Sequence, residues 1–153
     1  MRLSYNQIDA VARKVARRAG VSILGAQSST VRDKSNRKDF VTIADIKSQN
    51  FIVQQLNHDF PHLTVLSEEH PEVVRSAMYR DDFTGFVIDP IDGTYNFKRD
   101  MRESAISIGY IENGQSRVGV VYDPYKDELY SAISGQGAER NGQRPFTCLT
   151  RTA

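Results

Sequence analysis

The run Phe86-Val87-Ile88-Asp89-Pro90-Ile91-Asp92-Gly93-Thr94-Tyr95-Asn96-Phe97 constrains this chain more than any other segment. Its first residues are apolar and β-branched, which predicts a buried strand. That strand delivers two carboxylates three residues apart, and a Gly-Thr turn follows. Carboxylate oxygens suit hard cations such as Mg²⁺. Gly93 and Thr94 add backbone N–H groups and a hydroxyl at the start of a short helix, where anions are favoured. A cation beside an anion cradle reads as phosphate chemistry. Asp-Gly is also a common turn dipeptide, so on its own the segment leaves a plain strand and turn open.

Two helices are expected before it. Over residues 4–19, Ile8, Val11, Ala12, Val15, Ala16 and Ala19 share one face at helical spacing, and Gly20 is the expected stop. Arg13, Lys14, Arg17 and Arg18 line the other face. A basic face can bind nucleic acid or anionic lipid. The net charge of +1 offers no field to attract either, and a solvated face is expected. The polar residues 25–40 read as a loop. Thr42 is placed to cap a second helix over about 43–60, with Asp45 in its first turn, where acids are favoured. Ile46, Ile52, Val53, Leu56 and Phe60 supply its apolar face, and Pro61 ends it.

Strand signals follow. Leu63–Leu66 runs into Ser67-Glu68-Glu69, and residues 70–82 read as a polar linker. Strands are expected at Phe83–Ile88, Ser104–Ile111, Ser116–Tyr122 and Glu128–Ile133. Glu112-Asn113-Gly114-Gln115 is a hairpin turn, and Asn141-Gly142 marks a later one. The order predicts an α+β domain, an antiparallel-rich sheet covered on one face by two helices.

At 153 residues the chain has the length of one domain, and 39% hydrophobic residues are enough for a core. No apolar run is long enough for a membrane span, and residues 1–7 lack a signal-peptide core. A single cysteine, Cys148, excludes an internal disulfide and fits a reducing cytoplasm.

Asp45, Glu68, Asp89 and Asp92 all fall at element edges. Each alone is an ordinary surface acid; the set carries the argument. If the strands ending at Glu68 and Asp89 are parallel neighbours, both carboxylates reach one sheet edge. Clustered carboxylates repel unless a cation sits among them. Two or three Mg²⁺ ions would resolve that repulsion and polarise a phosphate. Other constellations fail: His58, His62 and His70 lack zinc spacing, and neither a P-loop nor a Gly-x-Ser-x-Gly elbow occurs.

Residues 89–97 closely resemble the signature of the inositol monophosphatase family, Mg²⁺-dependent and lithium-sensitive phosphatases. Asp39-Phe40-Val41-Thr42-Ile43-Ala44-Asp45 resembles the family's D-x-V-T-x-x-D segment, and Leu66-Ser67-Glu68-Glu69 its G-E-E with Ser for Gly. Ala105–Gly109 and Gly119–Pro124 are similar to its next two strands, and Gly135–Gly142 to its G-x-G-A-x-x-N-G turn. The resemblance spans essentially the whole chain and implies the N-terminal half of the layered α/β sugar-phosphatase fold.

By matching position it implies that Glu68, Asp89 and the Ile91 carbonyl hold one metal and that Asp89 and Asp92 hold part of a second. Glu68 would also help hold a third, and act in catalysis. Asp45 and Thr94 would orient the attacking water, the N–H groups of Gly93 and Thr94 would bind phosphate, and Lys34 would sit on a loop near the substrate. The implied reaction is in-line attack of a metal-activated water on an inositol phosphate or related sugar phosphate. Ser67 and Lys98-Arg99 are similar instead to the adenosine bisphosphate phosphatases, whereas Tyr95-Asn96-Phe97 fits the inositol branch, so a nucleotidase is the alternative.

Family members continue into a second half that supplies another metal-binding aspartate in a Trp-Asp segment. This chain has no Trp. It is expected to be the N-terminal half alone, residues 1–153, with the C-terminal half absent. Such a truncated chain is expected either to turn over substrate or to bind metal without turnover, and to dimerise, aggregate or need a partner chain through the face the missing half would cover.

Overall fold

The computed structural model describes residues 4–30, 37–99 and 101–144. Helices α1 (Tyr5–Thr30) and α2 (Arg37–Asp59) pack on each other and on one face of a six-stranded sheet. The strands are β1 (Thr64–Ser67), β2 (Gly85–Asp92), β3 (Ala105–Glu112), β4 (Gln115–Asp123), β5 (Glu128–Ile133) and β6 (Gly137–Arg140), side by side in chain order. β1 pairs parallel to β2, and every later pair is antiparallel. This is the α+β arrangement expected from the sequence.

Alternation along the strands makes the core. Phe86 and Ile88, Ile106 and Ile108, Val118 and Val120, and Leu129 are buried toward the helices. They meet Ile8, Val15, Ile23, Ile52 and Leu56, each large aliphatic contributing about 1.5–3 kcal/mol by leaving water. Phe86 stands between Phe60 and Tyr110, with ring centroids 5.5 and 5.4 Å away. The opposite face is shallow. Leu66, Val87, Gly109, Gly119, Ala132 and Ala138 lie in register across all six strands. Beside that row Val121 and Tyr130 are 41% and 43% exposed.

Several boundaries differ from the sequence expectation. Gly20 does not stop α1. A Cβ there would lie 2.5 Å from Tyr122 Cε1, so this glycine lets the helix approach β4 closely. The helix continues to Thr30, burying Ile23 one turn later. α2 begins at Arg37, so Thr42 falls inside the helix and is not its cap. Of the expected loop 25–40, both flanks are helical, and residues 31–36 lie outside the described residues. The linker 70–82 contains a short helix α3 (Glu72–Arg75) and a 3₁₀ turn, Ser76–Tyr79.

The basic face of α1 is not merely solvated. Arg13 pairs with Asp9 at 2.7 Å and with Glu139, and donates to Ser131 at 2.7 Å. Arg17 pairs with Asp127, and Arg18 lies over the Phe51 ring at 5.1 Å. These contacts tie α1 to β5, β6 and α2. The hairpin expected at Asn113-Gly114 forms with φ of 51° and 70°, the paired left-handed residues of a type I′ turn.

Candidate active site

Parallel pairing of β1 with β2 places Ser67 opposite Ile88. The ladder continues one step, with the Glu68 N–H donating to the Ile88 carbonyl at 3.1 Å. Glu68 thereby comes beside Asp89, as the sequence argument required. The consequence is electrostatic. Burial pushes the Asp89 carboxyl up, a hydrogen bond and repulsion from Glu68 raise it further, and Asp92 adds to the repulsion. The Ile91 N–H, donating to Asp89 Oδ1 at 3.1 Å, opposes these effects without cancelling them. Asp89 ends at about 8, against its ordinary 3.8. Crowding by Glu68 thus works against the charged form of Asp89.

The turn after β2 is tightly specified. Gly93 has φ 84°, and a Cβ there would lie 2.9 Å from the Glu103 carbonyl oxygen. Only glycine fits both demands. Gly93 leads into helix α4 (Thr94–Lys98), whose Phe97 N–H returns to the Gly93 carbonyl at 3.0 Å. The Thr94 hydroxyl donates to the Ile91 carbonyl at 2.9 Å. That carbonyl retains a second lone pair, and the Thr94 oxygen retains its acceptor capacity. Thr94 and Ile91, expected in separate roles, are thus joined by one hydrogen bond.

α2 fixes this edge of the sheet from beneath. Asp45 is buried on the helix face that meets β2 and α4. One turn later, buried Ser48 donates to the Pro90 carbonyl at 3.1 Å, between the two signature aspartates. Gln49 Oε1 accepts the Ser67 hydroxyl at 3.0 Å. His70 Nδ1 accepts the Ser67 N–H at 3.2 Å, closing the turn after β1. Sequence reasoning missed these three residues. Ser48 and Gln49 stand three and four positions after Asp45, one turn on, and that spacing was the available signal.

Asp92 parts from the other two acids. Like Glu68 it is exposed, but it lines a separate open cleft of about 380 Å³ with Asn96, Glu103, Asp123 and Lys126. Glu68 and Asp89 line a different cavity, of about 310 Å³, over the shallow face of the sheet. Among the described residues, no three acidic, histidine or cysteine side chains gather closely enough to hold a metal. The expected set of Glu68, Asp89, Ile91 and Asp92 is therefore brought together only in part. Lys34 lies outside the described residues. Among the described residues no helix is long and apolar enough to cross a membrane.

The sequence profile of the inositol monophosphatase family matches residues 4–151. The chain is 39% identical to the inositol-1-monophosphatase of Bacillus subtilis, over 90% of this chain and 52% of that protein. It is 36% identical to Nus factor SuhB of Salmonella typhimurium, over 88% of this chain and 50% of that one. Its fold resembles inositol monophosphatase II of Staphylococcus aureus with a TM-score of 0.76 and 33% identity, over 92% of this chain and 52% of the other. The chain thus spans about half the length of these relatives, and that half contains the strand ends and the signature turn. With the profile matched from the start of α1 to beyond β6, the chain belongs to the inositol monophosphatase family.

Proposed function

We propose that this chain forms the cation- and phosphate-binding half of a Mg²⁺-dependent phosphatase acting on an inositol phosphate or a related sugar phosphate. The observation that carries the reading is the Glu68–Asp89 pair, two carboxylates brought together at the ends of parallel strands, where burial and Glu68 push the Asp89 carboxyl up. Family membership supports the reaction class.

The donors fit a hard divalent cation. They are oxygens only, their mutual repulsion is what a cation relieves, and the Ile91 carbonyl lies on the same turn. Glu68, Asp89 and that carbonyl would hold the ion, with Asp92 contributing to a second. Bound Mg²⁺ would supply Lewis-acid polarisation of the phosphate and lower the pKa of water. The chain's own residues do the rest. Gly93 and Thr94 present N–H groups to the phosphate oxygens. Thr94, its proton engaged by Ile91, offers an oxygen that can accept a proton from water, and Asp45, buried on α2, would act as the base with it. Glu68 takes part through its hold on the cation.

A second reading, a nucleotide 3′-phosphatase, is favoured by Ser67, whose hydroxyl is held by Gln49 where the family pattern has glycine. The experiment is phosphate release from inositol 1-phosphate, fructose 1,6-bisphosphate and adenosine 3′,5′-bisphosphate, with and without Mg²⁺, beside an Asp92→Asn control. Mg²⁺-dependent release from a sugar phosphate, lost in the control, supports the first reading. Release from the nucleotide alone replaces it with the second. Absence of release with Mg²⁺ binding intact identifies a metal-binding half that needs the rest of the site to turn over.

A further inference from the structure

Arg75, at the end of α3, lines the cavity that Glu68 and Asp89 also line, and it has no task in the reaction proposed above. Its Nε is buried without a hydrogen-bond partner among the described residues, and its guanidinium makes no ion pair with either acid. A guanidinium is a permanent cation whose planar fork of five donors matches the oxygens of a phosphate. A buried donor left unpaired is unfavourable, so the position calls for an acceptor. The nearby walls do not supply one, since Leu66, Met78 and Val87 are apolar. The Ser107 hydroxyl, on the residue opposite Asp89 in the β2–β3 ladder, lines the same cavity and adds a second donor. At about 310 Å³ the space admits a small oxyanion.

We propose that Arg75 is a phosphate-binding residue of this site, its fork taking two oxygens of a phosphate group that lies in the cavity beside the acid pair. This rests on the reading that Glu68 and Asp89 form a cation site, because a phosphate beside two bare carboxylates would be repelled. The phosphate is then held from two directions, by the cation on the side of the strand ends and by Arg75 on the side of the β1–β2 connection. An arginine suits that place better than a lysine, since two parallel N–H bonds fix the orientation of the phosphate as well as its position. The local fold leaves the side chain free to adjust. Neither α3 nor the following 3₁₀ turn contributes a buried residue, and no side chain caps either one. Replacing the guanidinium therefore removes a ligand contact without opening the core.

The test is calorimetric titration of sodium phosphate into the chain saturated with MgCl₂, for wild type, Arg75→Lys and Arg75→Gln, against sodium chloride at matched ionic strength. MgCl₂ alone is titrated into the same proteins, with Asp89→Asn as the cation-site control. Arg75→Gln is expected to bind phosphate roughly tenfold more weakly, the loss of one charge-assisted two-point contact. It is expected to bind Mg²⁺ as wild type does, since the guanidinium pairs with neither acid. Arg75→Lys keeps the charge without the fork and is expected to fall between the two. Phosphate binding by Arg75→Gln equal to that of wild type, or none by a wild type that binds Mg²⁺, overturns the assignment and leaves the cation site standing. Loss of Mg²⁺ and phosphate binding together in Arg75→Gln marks the arginine as a support of the fold and overturns the assignment too. Absence of Mg²⁺ binding by wild type, folded by circular dichroism, overturns the cation site and this inference with it.

Discussion

Replacing Asp89 with Asn is expected to make the metal-free protein more stable while removing its response to Mg²⁺. The reasoning follows from the direction of the Asp89 shift. Its carboxyl titrates at about 8 in the folded chain against an ordinary 3.8. Between these values the native state holds a proton that the unfolded chain has released, so stability falls as pH rises through that window. Below about pH 4 both states are protonated and nothing is lost. Above about pH 8 both are ionised and the full penalty is present. Without screening the shift corresponds to about 6 kcal/mol. Asp89 is only half-buried, and solvent screening reduces this to about 1–2 kcal/mol. Asn is neutral throughout, and its carbonyl oxygen can keep the bond from the Ile91 N–H.

The assay is thermal unfolding by circular dichroism, with a chelator present, at a series of pH values. The Asp89→Asn and wild-type curves should nearly coincide near pH 4 and separate as pH rises. Above pH 8 the variant should melt about 3–6 °C higher, the shift that 1–2 kcal/mol produces in a domain of this size. Added Mg²⁺ should raise the wild-type midpoint at that pH and leave the variant unmoved. A variant that is equally or less stable at high pH, or a gap that narrows as pH rises, refutes the account of the acid pair.

Other consequences are equally direct. Gly93→Ala forces a left-handed φ on a residue with a Cβ that meets the Glu103 carbonyl, and chemical denaturation should show a loss of about 1–3 kcal/mol. Ser48→Ala leaves the Pro90 carbonyl without its buried donor; denaturation should show a loss of about 1–2 kcal/mol, and calorimetry weaker Mg²⁺ binding. The shallow sheet face, with its uncharged row from Leu66 to Ala138 and exposed Val121 and Tyr130, is expected to pair with a second copy of the chain. Sedimentation should show concentration-dependent dimer that Val121→Lys abolishes, and a single monomer species at high concentration refutes the pairing.

What the sequence disclosed, and what it withheld, follows from the range over which each signal acts. The alternation of β2 to β5 is local and periodic, so the strands and the hairpin at Asn113-Gly114 could be read directly. The convergence of Glu68 on Asp89 could be stated only conditionally, since parallel pairing joins residues that no local pattern links. Gly20 misled because a glycine that ends a helix and a glycine that admits a tyrosine look alike until Tyr122, about a hundred positions later, is in place. Thr42 misled for the same reason: a capping residue type is also a tolerated helical one when tertiary packing extends the helix. The same long-range logic governs the site. Ser48, Gln49 and His70 carry no chemical signature of their own, yet they fix the ends of β1 and β2 against each other. The motif supplies acids whose chemistry can be named from composition. Their repulsion is created by the fold, and in the isolated pair it is a liability. If a cation binds there, the relief of that repulsion favours it, and the residues that hold the strands rigid would then matter to affinity as much as the ligands do.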